Sequence, residues 1–200
     1  YCGGSVTDKV YKIQISDMAK VAESADYGGD ILAIATDDTY IYCGGYTTKT
    51  VWKIDPSDMS KVGESAGYGG VIWSLACQGS YIYCGGATTN KVYKFNTSDM
   101  SKTAESTGYG GYIYAVDTDS THVYCGGSVT DKVYKIQISD MVKVAESSSY
   151  GSNIYSITND GTNVYCGGTD TVWKINTSDM SKTAESIGYG GSIFSLAYSD

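Results

Sequence analysis

The amino-acid sequence predicts an all-β protein, specifically a five-bladed β-propeller with four antiparallel strands in each blade. The tetrapeptide Tyr-Cys-Gly-Gly recurs at steps of 41 residues, beginning at Tyr1, Tyr42, Tyr83, Tyr124 and Tyr165. Repeats of about 40 residues are typical of propellers and solenoids. Each repeat also contains four short β-type runs separated by turn residues, and no segment shows the 3.6-residue apolar period of an amphipathic helix.

The second repeat shows the unit most clearly. Its four predicted strands are Ile31–Ala35, Tyr40–Cys43, Thr50–Ile54 and Lys61–Ser65. The segments between them are Thr36-Asp-Asp-Thr, Gly44-Gly-Tyr-Thr-Thr and Asp55-Pro-Ser-Asp. Aspartate bonds to nearby backbone, proline fixes φ and glycine tolerates positive φ, so each segment predicts a turn. Because one repeat cannot bury its own faces, we expect residues 1–200 to form a single domain of five repeats.

The ends of the sequence predict how the ring closes. Tyr1 begins inside the second strand of a repeat, and residues 192–197 supply a first strand with nothing after it. A C-terminal first strand that joins N-terminal strands two to four would complete the fifth blade. A β-solenoid is the alternative fold, but it would need distinct end caps, and the outer repeats look like the inner ones.

The repeats are nearly identical in places. Residues 1–24 and 124–147 differ only at Ala19 and Val142. This near-identity indicates either recent amplification or deliberate construction of the chain.

Two motifs resemble known propeller repeats. The run Tyr40-Ile-Tyr-Cys-Gly-Gly has a kelch-like diglycine, and Val51-Trp-Lys-Ile-Asp-Pro-Ser-Asp-Met resembles PQQ-like and YVTN-type repeats. The kelch tryptophan on strand four and the Gly-His and Trp-Asp signatures of WD40 repeats are absent. The glycine usual in the PQQ-like turn is replaced by Met18, Met59, Met100, Met141 and Met180. The resemblance implies a propeller and assigns no function to individual residues.

The amino-acid composition limits the classes of molecule that we expect the protein to bind. The chain has 22 carboxylates and 14 lysines, contains no arginine, and carries a formal net charge of −8. This balance disfavours nucleic acid and anionic membranes, and no apolar run is long enough to span a bilayer. The expected partner is therefore a protein or a carbohydrate, and we expect the protein to be a monomer.

The six cysteines predict neither disulfides nor a metal site. Five of them, Cys2, Cys43, Cys84, Cys125 and Cys166, occupy one equivalent position in five repeats, too far apart for bridging in a ring. Unpaired thiols favour a cytoplasmic setting. Zinc would need clustered thiols or histidines, whereas the chain has His122 alone and no C-x-x-C pair. We therefore expect no metal and no cofactor.

The first candidate binding set consists of tyrosines in the glycine-rich connections between repeats. These connections and those between strands two and three emerge on the same face of a propeller. Aromatic rings beside hydroxyl groups suit sugars, which have apolar faces and polar edges. Alternatively, each ring packs between neighbouring blades while the glycines form the turn. The set is Tyr27, Tyr68, Tyr109, Tyr150 and Tyr189.

The second candidate set lies on strand one. The residue after its first isoleucine is Leu32, Trp73, Tyr114, Tyr155 or Phe194, and small residues follow on the alternating face. Large residues opposite small ones predict interdigitation of adjacent sheets. If a pocket exists instead, we expect Trp73, Tyr114 and Tyr155 to bind the ligand. Its asymmetry would also come from Asp30, Val71, Tyr112, Asn153 and Ser192.

Lysines on strand three and glutamates on strand four predict cross-strand ion pairs at the outer edge of each blade. Lys53 and Glu64 are one such predicted pair.

The sequence does not predict an enzyme. Catalysis needs unlike groups in unlike roles, and five-bladed glycosidases place several distinct carboxylates in the central funnel. Strand one here offers only Asp30 and Asp117, and no Ser/His/Asp or Cys/His arrangement is visible. The leading hypothesis is a non-catalytic scaffold or a ligand- or protein-binding module. A carbohydrate-binding lectin with several equivalent sites is the alternative, and a glycosidase is the less favoured second alternative.

Overall fold

The structure is a computed structural model that describes residues 1–199. All the regular secondary structure elements within these residues are β-strands. No helix in this part of the chain has the length and apolarity needed to cross a membrane. The strands are β1 (Cys2–Gly3), β2 (Val10–Ile13), β3 (Lys20–Glu23), β4 (Ile31–Thr36), β5 (Ile41–Gly45), β6 (Trp52–Ile54), β7 (Lys61–Glu64), β8 (Ile72–Gln78), β9 (Tyr81–Gly86), β10 (Tyr93–Asn96), β11 (Lys102–Glu105), β12 (Ile113–Thr118), β13 (His122–Gly127), β14 (Tyr134–Gln137), β15 (Lys143–Glu146), β16 (Ser156–Asn159), β17 (Asn163–Gly167), β18 (Val172–Asn176) and β19 (Lys182–Glu185).

The strands form five antiparallel sheets, and each sheet uses strands that are consecutive in the sequence. The first sheet has three strands, β1 to β3. The second to fifth sheets have four strands each: β4–β7, β8–β11, β12–β15 and β16–β19. The predicted all-β class, antiparallel hairpins and repeated four-stranded unit are therefore confirmed. In the second sheet, each observed strand begins and ends within two residues of the predicted one.

The predicted first strand at residues 192–197 is only partly formed. Ser192 forms an isolated bridge with Thr169, and residues 193–199 have no regular secondary structure. Among the described residues, β1 pairs only with β2. The segment nevertheless takes the position of a first strand. A Cβ atom on Gly167 would lie 2.7 Å from Ile193 Cγ2, the same distance that separates a Cβ on Gly44 from Ile72 Cγ2.

The turn between the third and fourth strands of each sheet contains a methionine in the left-handed region. The φ angle is 61° at Met59 and 60° at Met100, and the other three methionines of this position have 58–59°. Left-handed backbone costs a residue with a Cβ atom about 1–2 kcal/mol. Met100 is buried in a cluster with Val51 and Tyr68 of the preceding sheet, which contributes about 1.5–3 kcal/mol. Packing therefore explains how methionine is tolerated at the four of these positions where it is buried.

Each sheet also contacts the next one through a lysine of its third strand. Lys53 Nζ donates to the Thr97 carbonyl at 2.7 Å, and its ammonium lies 3.8 Å from the centre of the Tyr40 ring. The prediction that these lysines pair with strand-four glutamates was wrong. Glu64 instead pairs with Lys61 on its own strand. The register of the two strands shifts between Lys53 and Ile54, and this irregularity brings the side chains of Lys61 and Glu64, three residues apart, to the same side of the strand.

The outward faces of the first and fifth sheets lack these contacts, and we call them the two end faces. Met18 is 73% exposed on the first sheet, whereas its four counterparts are at most 3% exposed. Tyr189 beyond the fifth sheet is 76% exposed, whereas Tyr68 is fully buried. Among the described residues, Lys174 donates no hydrogen bond to a neighbouring sheet. The end faces thus expose the residue types that join sheets elsewhere.

A tyrosine–aspartate pair closes the first hairpin of three repeats. The Tyr42 hydroxyl donates to Asp37 Oδ2 at 2.7 Å, and Asp37 Oδ1 accepts from the backbone N–H groups of Thr39 and Tyr40. The same pairing recurs at Asp119 with Tyr124 and at Asp160 with Tyr165. Burial opposes ionisation of Asp37, but these hydrogen bonds outweigh it and hold the pKa of the carboxyl below its usual value.

The third sheet departs from this pattern. Gln78 stands where the second, fourth and fifth sheets have aspartate, and among residues 1–199 no group partners the buried hydroxyl of Tyr83. Burial raises the pKa of Tyr83 to about 12. A buried polar group without a partner costs about 1–3 kcal/mol.

Replacement of Gln78 by aspartate is expected to stabilise the protein by about 1–3 kcal/mol, because the carboxylate would accept from Tyr83. For a chain of this size that corresponds to a rise of about 2–4 °C in Tm per kcal/mol, measured by thermal unfolding. The matched control is Gln78→Asp in a Tyr83→Phe background, where the gain should disappear. An equal gain without the hydroxyl would show that this explanation is wrong.

Candidate functional site

A cavity of about 320 Å³ lies where the first strands of the repeats meet. Four complete first strands line it with residues 32–34, 73–75, 114–116 and 155–157, and the C-terminal segment lines it with residues 194–196. The same three positions of five repeats therefore enclose one space. This arrangement brings together side chains that are about 40 residues apart in the sequence.

Backbone bulges in three of the first strands, β4, β8 and β12, each turn one residue toward the cavity. The pairing of β4 with β5 skips Leu32, and that of β8 with β9 skips Trp73. Tyr114 is skipped in the same way between β12 and β13. A bulged residue has no partner opposite it, and bulges commonly redirect a side chain next to a functional site. The residues predicted to interdigitate between sheets therefore line the central cavity.

Four consecutive aromatic rings form what we call the aromatic cup: Trp73, Tyr114, Tyr155 and Phe194. The ring centroids of successive members are 4.6, 5.4 and 5.0 Å apart, and their planes turn by 32°, 39° and 45°. Successive rings are therefore tilted relative to one another by 45° or less, and all four line the same open cavity. Leu32 occupies the fifth position.

Serine side chains beneath the cup hold neighbouring first strands together. Ser74 Oγ accepts from the Val116 N–H at 2.9 Å, and Ser156 Oγ donates to the Ile193 carbonyl at 3.1 Å. Ala33 and Ala115 fill the same position in other repeats, where they leave room for the adjacent strand. The predicted pattern of small residues thus sets the spacing of the strands that carry the rings.

Among the residues that the structure describes, the cavity lining contains hydrogen-bonding groups and no charged side chain. Its lining residues include no Asp, Glu, His, Lys or Cys. At the rim, Asn153 Nδ2 donates to the Tyr155 hydroxyl at 3.1 Å. Tyr112 places its ring centroid 5.4 Å from that of Trp73 in an edge-on arrangement. The site therefore offers aromatic faces, hydroxyl groups and one amide.

Most of the loop tyrosines lie elsewhere. Tyr27, Tyr68, Tyr109 and Tyr150 are buried, and their hydroxyls donate to backbone carbonyls of the following repeat; for Tyr68 the distance to the Lys91 carbonyl oxygen is 2.6 Å. Burial raises the pKa of Tyr27 to about 12. These four rings join adjacent sheets and offer no exposed face to a sugar, which corrects the expectation of five exposed platforms. The alternative, packing between blades, describes their position.

Tyr189 is the exception, because no following sheet covers it. Its backbone N–H donates to the Asp170 carbonyl at 2.6 Å, as the other loop tyrosines do in their own repeats, but its side chain is exposed. Its exposure therefore reflects its position on an end face. The structure does not bring Tyr189 to the aromatic cup.

A second polar cluster surrounds Asp119 in the fourth sheet. Asp117 accepts from Asn159 Nδ2 at 2.7 Å, and its burial raises the pKa of the carboxyl. Burial likewise opposes ionisation of Asp119, but bonds from Tyr124 and from backbone N–H groups outweigh it and lower that pKa. Burial, reinforced by the charge of Lys135, lowers the pKa of His122. Each carboxylate is satisfied by protein donors, and none of these groups lines the central cavity.

All six cysteines are free in the structure. Burial raises the pKa of Cys43, Cys77, Cys125 and Cys166 to about 12, whereas Cys2 is exposed. Across residues 1–199, no group of three His, Cys, Asp or Glu side chains has an arrangement that could hold a metal ion.

The comparisons with known proteins assign no family. No protein-family model matches the chain, and a search of curated proteins finds no significant match.

Sequence reasoning selected Trp73, Tyr114 and Tyr155 but left Phe194 and Leu32 out of the candidate set. Both occupy the same repeat position as the three selected residues, and both line the cavity. The signal that could have found them is the alignment of the repeats. Once the first strands are known to surround the cavity, that alignment places all five residues at equivalent positions in its lining.

Proposed function

We propose that the chain is a closed five-bladed β-propeller in which residues 192–197 complete the first sheet. The two end faces support this arrangement because they are complementary. Lys174 would donate to the Ile15 carbonyl, as Lys12 does to the Pro56 carbonyl at 2.9 Å. Tyr189 would donate to the Lys9 carbonyl, as Tyr68 does to that of Lys91. Met18 would then be buried like its four counterparts.

The closing strand would follow the register of the other first hairpins. Ile34 lies opposite Cys43, Leu75 opposite Cys84, and Ile157 opposite Cys166. The same register places Leu196 opposite Cys2. The motifs of each repeat support a relationship of this propeller to PQQ-like or YVTN-type repeats, with recent amplification or construction as the origin of its near-identical units.

We propose that this propeller is a non-catalytic binding module whose ligand sits in the aromatic cup. The observation that carries the proposal is that four consecutive repeats place tilted aromatic rings around one open cavity. Pockets lined by aromatic groups with a few polar groups are typical ligand sites. The lack of carboxylate, imidazole, amine or thiol groups in the lining supports binding without catalysis.

A carbohydrate is one candidate ligand, favoured by the hydrogen-bonded pair of Asn153 and Tyr155 at the rim. This lectin would have one central site, in contrast to the several equivalent sites expected from the loop tyrosines. A protein ligand with a protruding side chain would also suit a central cup. The acidic charge and the absence of arginine support partners other than nucleic acid, a monomeric chain, and a site without cofactor. The unpaired thiols support a cytoplasmic setting.

The proposal predicts that ligands change the fluorescence of Trp73. Trp52→Phe and Trp173→Phe leave Trp73 as the only tryptophan of the three in the chain. This protein would be titrated with neutral sugars, alkylammonium ions and small aromatic compounds up to about 10 mM, where even weak sites fill. We expect at least one class to give a saturable change. Tyr155→Leu should weaken that binding at least about tenfold, whereas Tyr46→Leu, in an exposed loop, should leave it unchanged.

Two outcomes would contradict this function. One is the absence of any saturable change with all three classes. The other is binding that Tyr46→Leu weakens as much as Tyr155→Leu does, since that would place the ligand outside the cup. Circular dichroism would establish that each variant keeps its β-structure.

A further inference from the structure

We propose that the aromatic cup recognises an alkylammonium group, such as a quaternary ammonium ion or a methylated amine. This inference rests on the proposed binding function and names the class of ligand. The face of an aromatic ring carries partial negative charge and attracts a cation within about 6 Å of its centroid. The geometry of the cup lets several rings act on one cation.

The spacing of the rings would allow one cation to contact all four of them. Centroids 4.6 to 5.4 Å apart around a fivefold ring lie about 4 Å from its centre. A cation about 4 Å above that centre would be within about 6 Å of all four rings. Trp73 is the strongest cation–π acceptor among the common aromatic side chains, and Tyr114 and Tyr155 rank near it.

Several lysines of the protein lie over aromatic rings outside the cup. Elsewhere in the protein, lysine ammonium groups lie over aromatic rings, for example Lys61 at 3.9 Å from the Trp52 ring and Lys182 at 4.0 Å from the Trp173 ring. Among residues 1–199, no lysine lies over any ring of the cup. The cup is thus a cluster of aromatic faces that the chain leaves without a cation of its own.

The charge of the cavity lining and of the whole chain favours a cationic ligand. No lining residue is positively charged, and the net charge of −8 attracts cations to the surface. Methyl groups on the nitrogen reduce its hydration, so such a cation enters an aromatic site at lower desolvation cost than ammonium itself. The cavity of about 320 Å³ is large enough for a trimethylammonium head with its attached chain pointing outward.

The test compares two probes of the same shape and different charge. Choline and 3,3-dimethylbutan-1-ol would be titrated into the protein that retains Trp73 alone, with fluorescence and the ligand methyl proton shifts as readouts. We expect choline to bind at least about tenfold more tightly than the neutral isostere, because several cation–π contacts act together. Equal affinity of the two probes would overturn the inference.

Matched variants identify the rings responsible. Tyr114→Phe keeps a π face and should retain choline affinity within about twofold, whereas Tyr114→Leu should weaken it at least about fivefold. Leu32→Phe adds the missing fifth ring, and we expect it to tighten choline binding about threefold. Loss of affinity in Tyr114→Phe equal to that in Tyr114→Leu would overturn a cation–π origin.

The outcomes separate this inference from the broader function. If methyl glucoside or another sugar binds at the cup and choline does not, the alkylammonium assignment is wrong while the binding function stands. If neither cations, sugars nor aromatic compounds bind, both are wrong. Binding of choline that persists unchanged in a Trp73→Leu protein, followed by methyl proton shifts, would place the cation elsewhere and overturn the inference.

Discussion

Deletion of residues 192–200 is expected to unfold the protein or convert it to an oligomer. Closure would bury Ile193 and Leu196 between sheets, and burial of two such side chains contributes about 3–6 kcal/mol. That is a large fraction of the 5–15 kcal/mol by which domains are typically stable. The deletion would also expose β1 as an open sheet edge, which favours pairing with another chain. Sedimentation and thermal unfolding measure both effects.

A cross-link gives an independent check of closure. Opposed residues of antiparallel strands have Cα atoms about 4.5–5.5 Å apart, within the range of a disulfide. Oxidation of a Leu196→Cys protein should therefore form an intramolecular bridge with the exposed Cys2. Leu196→Ser is the matched control. A truncated protein that stays monomeric with unchanged melting, together with a Leu196→Cys protein that cross-links only between chains, would show that the ring is not closed this way.

The second large effect is expected for Gly86→Ala. A Cβ atom there would lie 1.9 Å from the Val71 carbonyl oxygen and 3.1 Å from Ile72 Cα. Both neighbours are backbone atoms at the start of the first strand in the same sheet, so no side chain can move aside. We expect a loss of about 3 kcal/mol or more in the free energy of unfolding, as overpacking of a rigid site gives. Denaturant titration followed by circular dichroism would measure it.

Gly108 supplies the matched control for this substitution. It lies in an exposed loop, and a Cβ atom placed on it would meet no atom within 4 Å. Gly108→Ala should therefore change stability by no more than about 0.5 kcal/mol in either direction. Similar losses for the two variants would mean that the effect comes from loss of glycine flexibility and not from the contact with Val71.

Local patterns predicted the strands well because their causes are local. The turns at Asp55-Pro-Ser-Asp and Gly44-Gly form through side-chain bonding, a fixed φ and freedom of φ, all of which act within a few residues. The strand bounds of the second sheet accordingly differ from prediction by two residues at most. The repeat of 41 residues then extends this success to the four four-stranded sheets, whereas the first sheet has only three of its four predicted strands.

Contacts between sheets were harder to predict. Cross-strand pairing of Lys53 with Glu64 was a reasonable expectation, but a bulge shifts the register and the lysine reaches the Thr97 carbonyl of the next sheet. The sequence left two alternatives for the loop tyrosines: their rings could be exposed to a ligand or buried between sheets. Only the position of the adjacent sheet, whose carbonyl accepts from Tyr68, distinguishes them.

The sequence by itself determined an all-β chain, the antiparallel hairpins and the number of repeats. These follow from turn chemistry, apolar alternation and periodicity, which are properties of neighbouring residues. The tertiary structure decided which aromatic residues pack between sheets and which surround the central cavity. Tyr68 and Trp73 are only five residues apart, yet one joins two sheets and the other faces the cup. A bulge of one residue in the β8–β9 hairpin and the placement of the neighbouring sheets make that difference. The placement of the sheets depends on contacts between residues far apart in the sequence, such as Ser74 with Val116, which patterns of neighbouring residues do not specify.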